Sequence, residues 1–282
     1  MSFLRAWANC PCPVIGMLHA PALPDAPGFG EDIPALRSSI LHDAAALVEG
    51  GAAGLLLENF GDTPFFPDQV PHITVAHMVA LAGQVRRQTD LPLGINVLRN
   101  DALAALAIAH AVGAQFIRVN VLVGAYVADQ GLLQGIAHEL LRQRRRLGAD
   151  EIKIVADVHV KHAVPLAARP LIEEAVDAVR RGGADALVIS GVATGSPVDV
   201  NQLRAVRTAV HPTPVLVGSG VTADNAAELA AVADGLIVGT SLKCDNRVSD
   251  PIETSRVAQV VRNAISASKD RTDRRINGVD RV

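Results

Sequence analysis

Aromatic side chains are scarce in this chain: one Trp, one Tyr and six Phe make up 3% of its residues. The hydrophobic fraction of 49% therefore rests on Ala, Val, Leu and Ile. Small and β-branched residues suit a layered barrel interior and close helix–strand contacts. Cysteine is nearly absent too. Cys10, Cys12 and Cys244 are odd in number, and their Cys-Pro-Cys spacing fits neither a disulfide framework nor a zinc knuckle. A reducing, cytoplasmic location is expected. There is no excess of basic charge. The net charge is −3, which argues against a nucleic-acid partner, because such proteins present a basic face. The run Arg142, Arg144, Arg145 and Arg146 reads as the solvated end of a helix, where cations favour the dipole. No apolar run approaches the ~20 residues of a membrane span. Arg5, Asn9 and two early prolines interrupt any leader-like segment. No transmembrane segment is expected, and peripheral membrane contact is left open.

What is present is an alternation of short apolar runs with longer helical patterns, recurring about every 30 residues, the mark of a parallel sheet with crossover helices. The strands are expected at Pro13–Leu18, Gly54–Leu57, Leu93–Val97, Gln115–Val119, Ile152–Val160, Ala186–Ile189, Val215–Val217 and Gly235–Val238. Helices are expected at Leu36–Glu49, Val75–Gln88, Ala102–Val112, Leu171–Arg181, Val200–Val210 and Ala223–Val232. Glycines after Glu49, Val112 and Arg181 supply the left-handed turn that reverses the chain, and Asp101, Asp199 and Thr222 stand at N-cap positions. Eight such units close a (β/α)8 barrel, and 282 residues suit one such domain. A doubly wound sheet would want a Gly-x-Gly-x-x-Gly after the first strand, and none is there. The barrel is expected over residues 1–268, with a charged, disordered tail over 269–282. The long segments after the first, second, fourth and fifth strands (His19–Pro34, Glu58–His72, Asn120–Leu133 and Lys161–Pro170) mark the working face.

Strand alternation then selects the candidate site. In the fifth strand Ile154, Ala156, Val158 and Val160 face the helices, so Asp157, His159 and Lys161 climb the barrel axis toward the rim. By the same parity Asn96, Arg118 and Asn120 point inward, while His19, Glu58 and Ser190 end their strands. Asn59, Asp62 and Thr194 follow on adjoining loops. Polar groups inside a barrel are costly unless they are paired or functional. The candidate catalytic residues are thus Asp157, Lys161, Glu58, His159, Arg118 and His19, and the candidate substrate-binding residues are Asn59, Asp62, Asn96, Asn120, Ser190 and Thr194. The turns after the seventh and eighth strands, Gly218-Ser219-Gly220 and Gly239-Thr240-Ser241, expose backbone N–H groups where this fold usually holds a phosphate. No organic cofactor is expected. His19, Glu58, Asp157 and His159 could ligate a divalent metal, although no clustered ligand spacing is present. A Gly-x-Ser-x-Gly elbow is absent, against serine nucleophile chemistry.

Several segments resemble one family. Val14-Ile15-Gly16-Met17-Leu18-His19-Ala20-Pro21-Ala22-Leu23-Pro24 looks like the opening signature of the BtpA family (BtpA/SgcQ-like). Further matches are Gly54-Leu55-Leu56-Leu57-Glu58-Asn59-Phe60-Gly61-Asp62, Gly94-Ile95-Asn96-Val97-Leu98-Arg99-Asn100, Phe116-Ile117-Arg118-Val119-Asn120, Ala156-Asp157-Val158-His159-Val160-Lys161-His162, and Gly218-Ser219-Gly220-Val221-Thr222. The resemblance implies a barrel of the ribulose-phosphate-binding type. The family name comes from photosystem I biogenesis in cyanobacteria, and it describes a phenotype more than a chemistry.

Two functions of different kinds follow. The first is an enzyme on a sugar-phosphate or phosphoribosyl compound, of isomerase, lyase or glycosidic hydrolase type. Asp157 or Glu58 would serve as acid or base, Lys161, Arg118 and His159 would stabilise charge, and Lys161 could alternatively form a Schiff base. The second is a non-catalytic biogenesis or stability factor for a photosystem I-like membrane complex. That role would need an exposed apolar or basic patch, and none is visible in the sequence. A sensor that binds a phosphorylated metabolite without turnover is a third reading. A homo-oligomer is expected on the general habit of such barrels.

Overall fold

The computed structural model describes residues 3–191 and 198–276, the stretch 268–276 as backbone only. Eight parallel strands close a barrel: β1 (Val14–His19), β2 (Gly54–Glu58), β3 (Leu93–Asn96), β4 (Phe116–Val119), β7 (Lys153–Val158), β9 (Ala186–Ile189), β10 (Val215–Val217) and β11 (Gly235–Val238). Ring closure pairs β1 with β11 through Val14 and Leu236, and with β2 through His19 and Glu58. The outer layer is α1 (Ile33–Glu49), α2 (His72–Gln88), α3 (Ala102–Val112), α4 (Ala137–Arg146), α5 (Leu171–Arg180), α6 (Val200–Val210), α7 (Ala226–Ala230) and α8 (Thr254–Ile276). Helix α8 takes in the first part of the tail expected to be disordered, and residues 277–282 lie outside the described ones. Among the described residues no helix is long and apolar enough to cross a membrane.

Local chemistry sets these boundaries. Asp32 and Asp101 accept the Ala35 and Ala104 N–H groups at 2.8 and 2.9 Å, and Asp199 accepts from Asn201, so each carboxylate satisfies an orphan donor of a first turn. Gly113 ends α3 in the left-handed region (φ 68°), a conformation that glycine adopts without Cβ strain. Thr222 does not cap α7 as expected. Asn225 does the local bonding, accepting from the Thr222 N–H and donating to Gly220 O, and the helix starts later, at Ala226.

Two insertions depart from the sequence expectation. The segments read as plain loops after the fourth and fifth strands contain β5 (Ala125–Ala128), β6 (Gly131–Gln134) and β8 (Ala163–Pro165), which form an antiparallel sheet in the order β6-β5-β8. Its inner side packs Tyr126 and Leu133 on Val121 and Val160. At the opposite end the N-terminal segment folds under the barrel. Trp7 stacks edgewise on Phe116, with ring centroids 5.9 Å apart, and donates its indole N–H to Ala53 O at 2.7 Å. Gly54 leaves room for this indole, because a Cβ there would sit 2.7 Å from the Trp7 ring. Leu4, Trp7, Ile15, Leu56, Phe116, Val155 and Leu216 form the inner core of the barrel, separate from the larger core between strands and helices.

Candidate functional site

Strand parity carries through to the rim. Above the apolar inner layer, the last inward positions are His19 (β1), Glu58 (β2), Asn96 (β3), Arg118 (β4) and Asn120 just after it, Asp157 (β7), Ser190 after β9, Gly218 after β10 and Gly239 after β11. Each strand thus changes from aliphatic or aromatic to polar or glycine at its C-terminal end. These ends surround a cavity of about 800 Å³ lined by His19, Glu58, Arg118, Asn120, Asp157 and Lys161, by apolar Phe60, Phe65 and Leu98, and by the two turns Gly218–Gly220 and Gly239–Ser241.

The charged centre is a buried pair. Arg118 Nε and Nη2 donate to the two carboxylate oxygens of Asp157 at 2.9 and 3.1 Å, and Asn120 Nδ2 adds a third bond to Asp157 at 2.8 Å. Bidentate pairing fixes the guanidinium plane. Burial alone would lower the Arg118 pKa, but the charges of Asp157 and Glu58 prevail and hold it above its usual range. Glu58 is also buried, with Asn96 Nδ2 donating to its Oε2 at 2.5 Å. Burial raises its carboxyl pKa, against the opposing pull of Arg118 and Asn96, so Glu58 holds a proton more readily than a surface glutamate. Lys161 is pushed down to about 8, first by burial and then by Arg118, while Asp157 and Glu58 work the other way. His19 falls to about 3 by burial and the charges of Lys243, Arg118 and Lys161, so its imidazole is neutral. Its ring leans on Phe60 and sits against Gly239, where a Cβ would lie 2.7 Å from the imidazole.

Four side-chain atoms of this rim are buried without a hydrogen-bond partner in the protein: His19 Nδ1, Asn120 Oδ1, Ser190 Oγ and Ser219 Oγ. Buried polar atoms are usually paired, which makes this rim the candidate site; His19, Asn120 and Ser219 line the cavity, while Ser190 is not among its lining residues and lies behind Gly218. Thr240 also lines the cavity, and Ser241 Oγ donates to Val221 O at 2.6 Å, which joins the two turns.

Not every expected residue reaches the mouth. His159 does not. Strand β7 ends at Val158, and His159 adopts a left-handed backbone (φ 52°) that breaks the alternation. Its ring turns outward to within 3.7 Å of the Glu174 carboxylate on α5, the His159 backbone N–H donates to Glu174 at 3.2 Å, and Tyr126 O–H bonds the same carboxylate. Val160, expected on the helix side, lines the cavity instead, and Lys161 regains the mouth. Asn59 and Asp62 bond each other and hold loops: Asn59 accepts the Leu98 N–H, and Asp62 accepts the Leu23 N–H, both at 2.7 Å. Asn96 serves Glu58 and is not among the cavity-lining side chains. Thr194 lies outside the described residues. Among the described residues no three of His, Cys, Asp and Glu are grouped to hold a metal ion. Of the four suggested ligands, Asp157 and Glu58 are engaged by Arg118, Asn120 and Asn96, and His159 faces away.

Sequence reasoning passed over Arg99, which is buried, lines the cavity and bonds the Lys161 carbonyl. It follows the third strand closely enough that its rim position was a usable signal. Asp129, at the β5–β6 tip, enters the lining only because an unforeseen hairpin folds over the mouth. Lys243 lies just beyond the second turn but outside the cavity. It makes a fully buried ion pair with Asp43 of α1 at 2.5 Å, and the Ile252 N–H shares that carboxylate.

The sequence profile of the BtpA family matches residues 11–266. The chain is 48% identical to the protein TK2179 of Thermococcus kodakarensis over 88% of this chain and 94% of that one. It is 44% identical to the photosystem I biogenesis protein BtpA of Synechocystis sp., over 88% of this chain and 86% of that one. Among solved structures, N-(5'-phosphoribosyl)anthranilate isomerase from Pyrococcus furiosus superposes with a TM-score of 0.56 over 90% of this chain and 98% of that one, at 14% identity. That likeness shows the fold.

Proposed function

The chain belongs to the BtpA family, and from that premise we propose that it is an enzyme acting on a small phosphorylated metabolite, a sugar-phosphate or phosphoribosyl compound. The observation that carries this reading is that three residues lining one cavity, His19, Asn120 and Ser219, each hold a partnerless buried polar atom, and that two glycine turns line the same cavity. The phosphate would sit on the backbone N–H groups of Ser219, Gly220 and the turn Gly239–Ser241, since the Gly218 N–H is taken by the Ile189 carbonyl at 2.9 Å, with the Ser219 hydroxyl as a further donor. Neutral His19, beside Gly239, can donate or accept there without adding charge. The same fold serves a phosphoribosyl isomerase.

The reacting end of the substrate would lie toward Glu58, Arg118 and Lys161. Asp157 has both oxygens occupied by Arg118 and Asn120, so its work is to hold the guanidinium in place. Glu58 is the group suited to deliver a proton, and Lys161, near 8, the group suited to accept one or to attack a carbonyl carbon as a free amine. This pairing suits isomerase, lyase or glycosidic hydrolase chemistry, in which a proton moves while negative charge grows on an oxygen that Arg118 can face. Phe60, Phe65 and Leu98 supply the apolar walls that exclude water.

A thermal-shift screen of sugar phosphates, nucleotides and inorganic phosphate tests the assignment. A ligand present at 100 times its Kd should add about 2.7 kcal/mol of stability. The shift should vanish in Gly218→Val and persist in a surface control. An anion located crystallographically away from both turns would remove the phosphate site from the proposal. The relative in Synechocystis sp. bears the name of a biogenesis protein, which favours a second reading as a non-catalytic assembly factor. In that case Glu58→Gln and Lys161→Met would leave the in vivo function intact.

A further inference from the structure

The antiparallel sheet over the mouth has two faces of opposite fate. Tyr126 and Leu133 point down into the protein and are buried. The alternate residues point out. Register aligns Leu132, Val127 and Val164 in one row across β6, β5 and β8. A second row is Gln134, Ala125 and Leu166, since Ala125 pairs with Gln134 and its carbonyl accepts the Leu166 N–H at 2.9 Å. None of the six carries a charge. Val127 is 47% exposed, Leu132 49%, Val164 68% and Leu166 63%. Sheets that face water alternate apolar-in with polar-out, and exposed edges are commonly guarded by charge. This sheet shows neither device on its outer face.

We propose that this face is the dimer interface of the protein, packed against the same face of a second copy about a two-fold axis through the central strand β5. The occupant is chosen by area and shape. The four aliphatic residues, each showing about half to two-thirds of its surface on one flat face, supply the contiguous apolar centre that a standard half-interface of about 800 Å² needs. A flat three-stranded face can stack on its own copy as the two sheets of a sandwich do, with strands crossing at about 30°. A two-fold contact buries the same residues on both sides, so an uncharged patch meets an uncharged patch with no carboxylate or ammonium left unpaired. An anionic bilayer would look for lysine or arginine among the six, and there is none. The interface would also steady the wall of the cavity. Asp129 lies at the tip of the same hairpin, and Val160, which packs under it, is next to Lys161. The inference does not depend on the reading of the mouth as a catalytic site.

Light scattering on size-exclusion fractions of the full chain is the test, at concentrations above about 1 µM, where interfaces of this size are occupied. The wild type should run at twice 29.5 kDa, or at an even multiple of it. Val127→Asp and Val164→Asp should halve that mass with an unchanged circular-dichroism spectrum, while Ile73→Asp, on the exposed side of α2, should leave it alone. Where an aspartate variant fails to fold, Val164→Ser and Leu166→Ser should each weaken association by about tenfold or more. A wild type of single-chain mass, or Asp variants and Ser variants that keep the wild-type mass and affinity, would overturn the proposal. So would a monomeric wild type that floats with phosphatidylglycerol vesicles and loses that binding in Val164→Asp, because the face would then belong to a membrane surface.

Discussion

The two ends of this barrel are made from the same strands and obey opposite rules. At the lower end Trp7, Phe116, Leu56, Val155 and Leu216 close the interior with aromatic and aliphatic atoms, and the indole N–H, the polar atom of the Trp7 side chain, has its acceptor at Ala53. A few residues further along each strand the interior becomes His19, Glu58, Arg118, Asp157 and Ser190, with several acceptors and donors left without partners. Burial without pairing is tolerated in a stable protein when it is confined, and here the apolar end and the helix–strand core supply the stability that the polar end forgoes. The lesson is a division of labour along one strand: Phe116 packs the apolar end while Arg118, two residues on, is held by Asp157 at the polar end.

The comparison breaks if the polar end proves to be mere structure, and the largest expected effect tests that first. Glu58→Gln and Lys161→Met should each lower turnover of a responsive phosphorylated substrate by about 10²–10⁴ with the folded state retained in urea titrations. In the wild type kcat/KM should rise as pH approaches about 8, because Lys161 must shed its proton to act, and should fall at higher pH, where Glu58 has lost the proton it delivers. The stability sign runs the same way. Lys161 titrates at about 8 in the fold against 10.5 for an ordinary lysine, so its penalty is full below pH 8 and is relieved as pH climbs toward 10.5. Lys161→Met should abolish that rise.

Next in size, Phe116→Ala should destabilise by about 3–5 kcal/mol, the range for emptying a buried aromatic site. The thermal shift given by a phosphorylated ligand should survive, measured in a temperature range where the variant is folded. Loss of binding in step with stability would show that the two ends are not separable. A smaller effect concerns acid. His19 falls from 6.5 to about 3 on folding, so the unfolded chain takes up a proton there that the fold refuses, and stability drains as pH falls from 6.5 toward 3. His19→Gln should flatten that part of the pH–stability curve; an unchanged slope would locate the acid lability elsewhere. Smallest of all, Ser219→Ala should move stability by no more than about 0.5 kcal/mol while weakening phosphate binding by calorimetry, a split that an ordinary surface serine would not show.

Much of this was legible in the chain. Two-residue alternation in Phe116-Ile117-Arg118-Val119-Asn120 and in Ile154-Val155-Ala156-Asp157 is enough to sort helix-facing from inward side chains, and the barrel order follows from eight such runs. Glycine turns after the last two strands could be placed because their position, not their composition alone, is informative. Where the reading failed, a local backbone event intervened. His159 enters the left-handed region, so parity counted past Val158 sends it to the wrong side, although Lys161 ends where parity put it. Asn59 and Asp62 look like rim ligands in one dimension, but their partners Leu98 and Leu23 lie far along the chain and convert them to loop fasteners. The sheet of β5, β6 and β8 was invisible because each strand is only three or four residues long and its third strand, β8, comes from a different loop than the β5–β6 hairpin.

The indole at the base of the barrel is the only one in the sequence. Its emission therefore reports on a single place, at the end of the barrel opposite the polar mouth. Excited at the red edge, the protein carries a built-in gauge that should stay silent while ligands come and go, and should change colour only when the bottom of the barrel lets in water.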